Sequence, residues 1–243
     1  MIRPLLVALQ FLTRCPVRLT GHLDEKDLGR SLIFYPLIGL LIGGLLIACA
    51  WLIGEVAPLL AGALILTWWV TLTGALHLDG LADTVDAWAG GQGDPDRTLA
   101  IMKDPSSGPL GVTALILVLV LKFASLVAIL EAGAAPLLVL APVLGRTALP
   151  LLFLTTPYVR PGGLGAVLAR ALPVQAAMGM VLVSYALVPI IAGTAGWLAL
   201  AVALITFITL RQTMNHRIQG TTGDTAGALV EVTEVAVLIA LAV

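Results

Sequence analysis

The sequence PLGVTALILVLVLKFASLVAILE, residues 109–131, decides what kind of fold this chain can have. Before its terminal Glu131 it carries a single charged side chain, Lys122, and it is otherwise almost entirely apolar or small. At a rise of about 1.5 Å per helical residue, the stretch is long enough to cross a hydrocarbon core of roughly 30 Å. It therefore predicts a transmembrane α-helix.

The rest of the chain has the same character. Of its 243 residues, 59% are hydrophobic and 11% are charged, and a water-soluble domain of this size could not bury that much apolar surface. We predict an all-α fold, a polytopic integral membrane helical bundle of about seven transmembrane helices that forms a single domain over residues 1–243. Residues 4–13 are predicted to be a retained N-terminal interfacial or re-entrant helix. The predicted spans lie near residues 31–54, 57–77, 109–131, 135–154, 174–194, 196–210 and 226–242.

The positive charges predict how the bundle sits in the membrane. Outside the predicted spans, every Lys and Arg falls in four regions that alternation places on one face, whereas the opposite connections contain none. By the positive-inside rule that face is cytoplasmic, in the inner membrane of a bacterium. The polar segment 78–108 lies on the same side. The net charge of −1 gives no indication of a nucleic-acid partner. The four cationic regions are residues 3–30, 97–103, 160–170 and 211–217.

The segment HLDGLADTVD, residues 77–86, places acids directly after the second predicted span. On a helix, Asp79, Asp83 and Asp86 share one face, where their charges would repel one another without a cation between them. Carboxylate oxygens suit a hard ion, Mg²⁺ or Mn²⁺, and Gly80 leaves room for a ligand to approach the backbone. We predict metal ligation by these acids. The alternative is a solvated acidic turn.

A second polar segment follows a glycine-rich break at residues 90–93. Asp94 and Pro95 predict the start of a short helix that runs through Lys103. The turn at residues 104–108 then precedes the third span, and free N–H groups at a helix N-terminus can bind phosphate. An ordinary helix start gives the same pattern, and Arg97 could equally anchor the segment to lipid headgroups. The candidate phosphate-binding residues of this segment are Arg97, Lys103, Ser107 and Gly108.

The last predicted span begins with another polar turn and contains two intramembrane acids. Asp224, Glu231 and Glu234 lie roughly on one helical face. Ionisable groups at this depth usually serve function, but Glu231 and Glu234 could instead form structural ion pairs with Lys122 or Arg146. We predict that Asp224 completes the metal site. The residues predicted to contact substrate here are Arg146, Thr222, Gly223 and Glu231.

Several segments occur together in one order, and they make the chain resemble a known family. The family is cobalamin synthase, also called adenosylcobinamide-GDP ribazoletransferase, and the resemblance runs from near residue 8 to the C-terminus. The most specific part is HLDGLAD at residues 77–83. Departures include Ala75 and Ala87, where glycine is expected, and Gln219 before a single Gly220. The segments that carry the resemblance are FLTR 11–14, FYPLIG 34–39, GALHLDGLADTVD 74–86, IMKD 101–104 and TGDTAGA 222–228.

The resemblance implies an enzyme of cobalamin (vitamin B12) synthesis that depends on Mg²⁺. It implies that α-ribazole or its 5′-phosphate is joined to adenosylcobinamide-GDP with release of GMP. We predict that His77, Asp83, Lys103 and Asp104 are the catalytic residues. The partners would be these small molecules and the bilayer, with a homo-oligomer or a complex with other cobalamin-assembly enzymes left open. The alternatives are an ion-coupled transporter, another membrane enzyme like the CDP-alcohol phosphotransferases, or a non-catalytic scaffold.

Overall fold

The computed structural model describes residues 2–19, 21, 23–54, 56–104 and 106–243. Within these residues every regular element is a helix, which confirms the predicted all-α class. Short 3₁₀ turns at Leu32–Phe34 and Ala135–Val139 precede α3 and α8. The α-helices are α1 Ile2–Leu12, α2 Glu25–Ser31, α3 Tyr35–Ile53, α4 Pro58–Thr73, α5 Leu76–Gly91, α6 Pro95–Ile101, α7 Pro109–Glu131, α8 Leu140–Thr155, α9 Gly163–Arg170, α10 Val174–Ile218 and α11 Gly223–Ala242.

The described part of the chain contains five helical segments that are long and apolar enough to cross a membrane, or six if the bent pair α4 and α5 is counted as one span. One of the five is α10, which is interrupted at Gly193 by non-helical backbone angles. Beyond the interruption, Gly196 packs directly against the backbone of Val188 and Pro189, so the chain turns back on itself there. The seven predicted stretches fall on helices, and the stretch 57–77 crosses the bend between α4 and α5. They amount to seven spans only if the bent pair α4 and α5 is counted as one span and the two arms of α10 are counted individually. The predicted N-terminal helix is α1.

The bend between α4 and α5 is made by two consecutive residues in the left-handed conformation. Gly74 has φ 65° and Ala75 has φ 57°, and the two helices meet at 87°. The turn is held from the N-terminal segment, because the N–H of Arg14 donates to the Leu72 carbonyl over 2.7 Å and its side chain packs on Gly74. A Cβ at residue 74 would collide with that side chain. The bend therefore turns α5, and the acids it carries, away from the direction of α4.

Helix α11 is the centre of the bundle and packs against α5, α7, α8 and α10. Its crossing with α5 is very close: a Cβ on Gly80 would lie 2.8 Å from the Asp224 carbonyl oxygen, and a Cβ on Gly227 would lie 3.3 Å from His77 Cα. Small residues let helix backbones approach in this way, as at many membrane helix interfaces. The two glycines set the separation at which α5 and α11 meet.

Ala75 and Ala87, the two alanines at positions where glycine was expected, should respond in opposite directions to substitution. Ala75→Gly removes a left-handed alanine, a conformation that costs about 1 kcal/mol, so it should stabilise the protein. Ala87→Gly puts glycine inside α5 at a fully buried position and should destabilise it by about 1 kcal/mol. The measurement is the midpoint of thermal unfolding in detergent, with expected shifts of about 2–4 °C. A loss of stability in Ala75→Gly equal to that in Ala87→Gly would contradict the left-handed turn.

Candidate active site

Three carboxylates from two helices meet at one end of the bundle. Asp79 and Asp83 belong to the first half of α5, and Asp224 to the first turn of α11. Asp83 is half-buried and lies within electrostatic range of Asp79, Asp224, Asp86 and Arg160. The structure thus places the other three residues predicted to bind metal near Asp83. Their role as ligands stays a prediction.

The fourth predicted ligand, Asp86, has its carboxylate engaged by backbone. One oxygen accepts a hydrogen bond from the N–H of Gly108 over 2.6 Å, and the other accepts from Gly111 over 2.8 Å. Asp86 therefore fixes the start of α7 on α5, where a negative charge is favoured by the helix dipole. The N–H of Gly108 is consequently engaged by protein. Metal ligation by Asp86 and phosphate binding by Gly108 both stay predictions.

Arg160 is a member of the site that the sequence analysis did not single out. Its Nη1 lies 2.9 Å from Asp224 Oδ2, and its side chain is 33% exposed. The chain holds it there through a short bridge, in which the N–H of Val159 donates to the Thr221 carbonyl and the N–H of Thr221 donates to the Pro157 carbonyl. The only sequence signal was its membership in the cationic region 160–170. The bridge gives the carboxylate cluster a fixed positive neighbour.

The predicted catalytic pair Lys103 and Asp104 lies on the exposed segment after α6. The predicted cap is present, since Asp94 accepts hydrogen bonds from the N–H groups of Asp96 and Arg97 over 2.9 and 3.2 Å. Arg97, Lys103 and Ser107 are exposed. Hydrogen bonds from Ser106 hold the pKa of Asp104 below its ordinary value, so this carboxylate is ionised at neutral pH.

The same segment is anchored beside the start of α11. Met102 is buried, and its sulfur lies 3.7 Å from the hydroxyl oxygen of Thr222. Thr222 caps α11 in a reciprocal arrangement with Thr225, accepting from the Thr225 N–H over 3.2 Å while the Thr225 hydroxyl accepts from the Thr222 N–H over 2.9 Å. Gly223 is exposed next to this cap. Substrate contact by Thr222 and Gly223 stays a prediction.

The intramembrane acids form ion pairs, which is one of the two alternatives that the sequence left open. Lys122 Nζ lies 2.6 Å from Glu231 Oε2 and 2.5 Å from Glu234 Oε2, and Arg146 pairs with the other oxygen of Glu234. Lys122 also lies over the ring of Trp69, 4.6 Å from its centroid. All four charged residues are buried, and their charges balance. Substrate contact by Arg146 and Glu231 stays a prediction.

A cavity of about 200 Å³ opens beside the carboxylates. Its polar side chains are His77, Asp79, Asp224 and Tyr35. His77 is 5% exposed, and its Nδ1 forms no hydrogen bond with the part of the chain that the structure describes. A buried ring nitrogen in this state is available to a ligand. The rest of the lining is Phe11, Leu76, Gly80, Leu149, Phe153, Leu164, Gly165, Leu168, Gly223, Ala226 and Gly227.

The donor chemistry fits a magnesium ion that the substrate helps to bind. Among the residues described, no three His, Cys, Asp or Glu side chains are arranged to hold a metal ion by themselves. Mg²⁺ usually keeps several waters and binds through one or two carboxylates together with substrate phosphates. Asp79, Asp83 and Asp224 provide such oxygen donors. Such an ion would be shared between these carboxylates and a bound phosphate, and its binding stays a prediction.

The fold and the site define a polytopic membrane protein whose carboxylates and arginine converge at one end of a helical bundle. A sequence model described as cobalamin-5-phosphate synthase matches residues 4–242, and the chain belongs to that family. The resemblance found in the sequence is thereby confirmed.

Relatives match along nearly the whole chain. Adenosylcobinamide-GDP ribazoletransferase of Pseudomonas aeruginosa is 58% identical over 241 residues, covering 99% of this chain and 98% of the relative. The protein of the same name from Stutzerimonas stutzeri is 55% identical over 239 residues, covering 98% and 97%. That from Pseudomonas putida W619 is 56% identical over 243 residues, covering 98% of each. No solved structure matches this chain.

Proposed function

We propose that this chain is an adenosylcobinamide-GDP ribazoletransferase. It joins α-ribazole, or α-ribazole 5′-phosphate, to adenosylcobinamide-GDP and releases GMP. The observation that carries the proposal is the 58% identity to a relative of that name over 99% of the chain. The meeting of Asp79, Asp83 and Asp224 beside a cavity supports a phosphate-transfer site at that end of the bundle.

The reaction exchanges the phosphoanhydride bond of the pyrophosphate for a phosphodiester bond. A ribose hydroxyl oxygen of ribazole attacks the cobinamide-side phosphorus of the pyrophosphate. The bond from that phosphorus to the bridging oxygen breaks, and GMP leaves with the electron pair. The hydroxyl proton needs an acceptor. His77 is proposed for this role, because its Nδ1 is buried without a hydrogen-bond partner in the described residues and it lines the cavity next to Asp79.

Positive groups must offset the charge that the pyrophosphate brings to a cluster of acids. Mg²⁺ held by Asp79, Asp83 and Asp224 would neutralise phosphate oxygens and stabilise the departing GMP. Arg160 is proposed as the fixed cation of the site, since its guanidinium already lies 2.9 Å from Asp224 and can donate to a phosphate in the same place. Lys103 and Arg97 are proposed to contact the outer part of the donor from the exposed segment after α6.

We also infer that the protein lies in the cytoplasmic membrane with the site facing the cytoplasm. Its five or six long apolar helices support a multi-pass membrane protein. The one-sided distribution of Lys and Arg supports the orientation.

The function is tested with purified protein in liposomes, supplied with adenosylcobinamide-GDP, α-ribazole 5′-phosphate and Mg²⁺. GMP should appear together with the joined product, and removal of Mg²⁺ by a chelator should stop its release. Asp79→Asn and Asp83→Asn should each lower turnover by roughly 100-fold or more, because each removes a charge that holds the ion. Asp96→Asn, an exposed acid on α6, is the matched control and should retain wild-type turnover. Absence of GMP from correctly inserted wild-type protein would refute the proposed function.

The orientation is tested by cysteine labelling after Cys15 and Cys49, the two native cysteines, have been replaced with alanine. Asp96→Cys on α6 and Ala132→Cys after α7 report on opposite ends of the bundle, and both positions are exposed. In intact spheroplasts, a membrane-impermeant maleimide should label residue 132 and leave residue 96 unlabelled until the membrane is opened. The reverse pattern would place the carboxylates on the outer face.

A further inference from the structure

We propose that the cavity beside the carboxylates binds the flat aromatic base of the ribazole nucleoside, so that the acceptor's ribose is directed at Asp79 and Asp224. This inference rests on the proposed function and assigns one of its two substrates to a place. The cavity lies among α1, α3, α5, α8, α9 and α11. Its carboxylates belong to the site already described, whereas its apolar walls have no part in the phosphate chemistry.

The walls suit a planar hydrocarbon-edged ring. Phe11 and Tyr35 contribute rings that are stacked on each other, with centroids 6.3 Å apart and planes inclined by 22°. Phe153 contributes a third ring from α8, and leucines from α8 and α9 complete the walls. A bicyclic aromatic base would gain both buried apolar area and ring–ring contacts in such a space.

The size of the cavity suits a single bicyclic base. Pockets that enclose a complete drug-sized ligand measure roughly 300–1,000 Å³. A cavity of about 200 Å³ is too small for a corrin macrocycle or for a complete nucleotide. A benzimidazole fits this scale, and the ribose attached to it must then lie outside the apolar part.

The polarity of the lining distinguishes between the bases of the two substrates. Guanine has hydrogen-bonding groups along most of its edge, and each one left unpaired against an apolar wall would cost about 1–3 kcal/mol. Benzimidazole has a hydrocarbon edge and a single free ring nitrogen. The lining from α8 and α9 is apolar or glycine, whereas Asp79 and Asp224 come from α5 and α11. The cavity therefore favours the base of ribazole over the guanine of the donor.

This placement also agrees with the geometry that the reaction needs. With the base between the aromatic walls, the ribose lies on the side formed by α5 and α11, where His77 and the carboxylates are. A hydroxyl held there is next to the proposed proton acceptor and to the cations that bind the donor's phosphates. The aromatic base would be held in the cavity, away from the reacting ribose oxygen. Holding it there would orient that oxygen for attack.

Helix α9 provides a matched pair of variants for the test. Leu164 lines the cavity and is 40% exposed, so its truncation should not unfold the protein. Val167, on the same short helix, is partly buried and does not line the cavity. Leu164→Ala should raise KM for α-ribazole roughly 10-fold and leave KM for adenosylcobinamide-GDP unchanged, whereas Val167→Ala should change neither. Phe153→Leu, which removes one of the three rings, is the second test variant and should also raise only KM for ribazole.

A binding measurement separates this inference from the proposed function. In it, the wild-type protein, Leu164→Ala and Val167→Ala are each titrated calorimetrically with α-ribazole alone. We expect the wild-type protein to bind α-ribazole, Leu164→Ala to bind it roughly 10-fold more weakly, and Val167→Ala to bind it as the wild type does. An analogue with adenine in place of benzimidazole should bind more weakly to the wild type. Suppose that the wild-type protein releases GMP, but Leu164→Ala and Phe153→Leu keep the normal KM for ribazole or raise only the KM for adenosylcobinamide-GDP. The cavity assignment is then wrong, and the proposed function stands. If no GMP is released although ribazole binds and Leu164→Ala weakens it, the function fails and the cavity assignment stands.

Discussion

The close crossing of α5 and α11 is the contact on which the site depends. Because Gly80 and Gly227 have no side chains, the backbones of the two helices come near enough for His77, Asp79 and Asp83 on one helix to share a site with Asp224 on the other. The crossing needs the 87° bend before α5, which two left-handed residues provide. A continuous straight helix through residues 58–91 would carry the acids of α5 away from α11.

The protein contains two groups of acids that differ in what neutralises them. Inside the bundle, Glu231 and Glu234 are paired with Lys122 and Arg146, and removing one partner of such a buried network typically costs about 3–5 kcal/mol. These pairs tie α11 to α7 and α8. At the end of the bundle, Asp79, Asp83 and Asp224 have Arg160 as their described cationic neighbour and therefore carry excess negative charge. The first group stabilises the position of α11, and the second is suited to a cation brought with a phosphate substrate.

Much of the helical architecture could be predicted from the sequence, because long apolar stretches in a membrane have few alternatives to helix. The motif at residues 77–86 likewise predicted acids on one helical face. The break near Gly193 was predicted, because the stretches 174–194 and 196–210 were placed on either side of it. The bend at Gly74 and Ala75 was not predicted, since it depends on backbone conformations that apolar periodicity does not encode. Arg160 could not be found from spacing, because a bridge between residues 157–159 and Thr221 brings it to Asp224. The hydrogen bonds of Asp86 to the start of α7 were missed for the same reason: they join segments that are distant in sequence.

Turnover of Gly80→Ala shows whether the glycine contact between α5 and α11 assembles the site. The added Cβ would lie 2.8 Å from the Asp224 carbonyl oxygen and must push the two helices apart, whereas Gly44→Ala on α3, where the Cβ meets open space, is the matched control. A displacement of about 1 Å between reacting groups can cost roughly 100-fold in rate. We expect a loss of that order in GMP release for folded Gly80→Ala protein and unchanged release for Gly44→Ala. Wild-type turnover in Gly80→Ala would show that the crossing does not position the reacting groups.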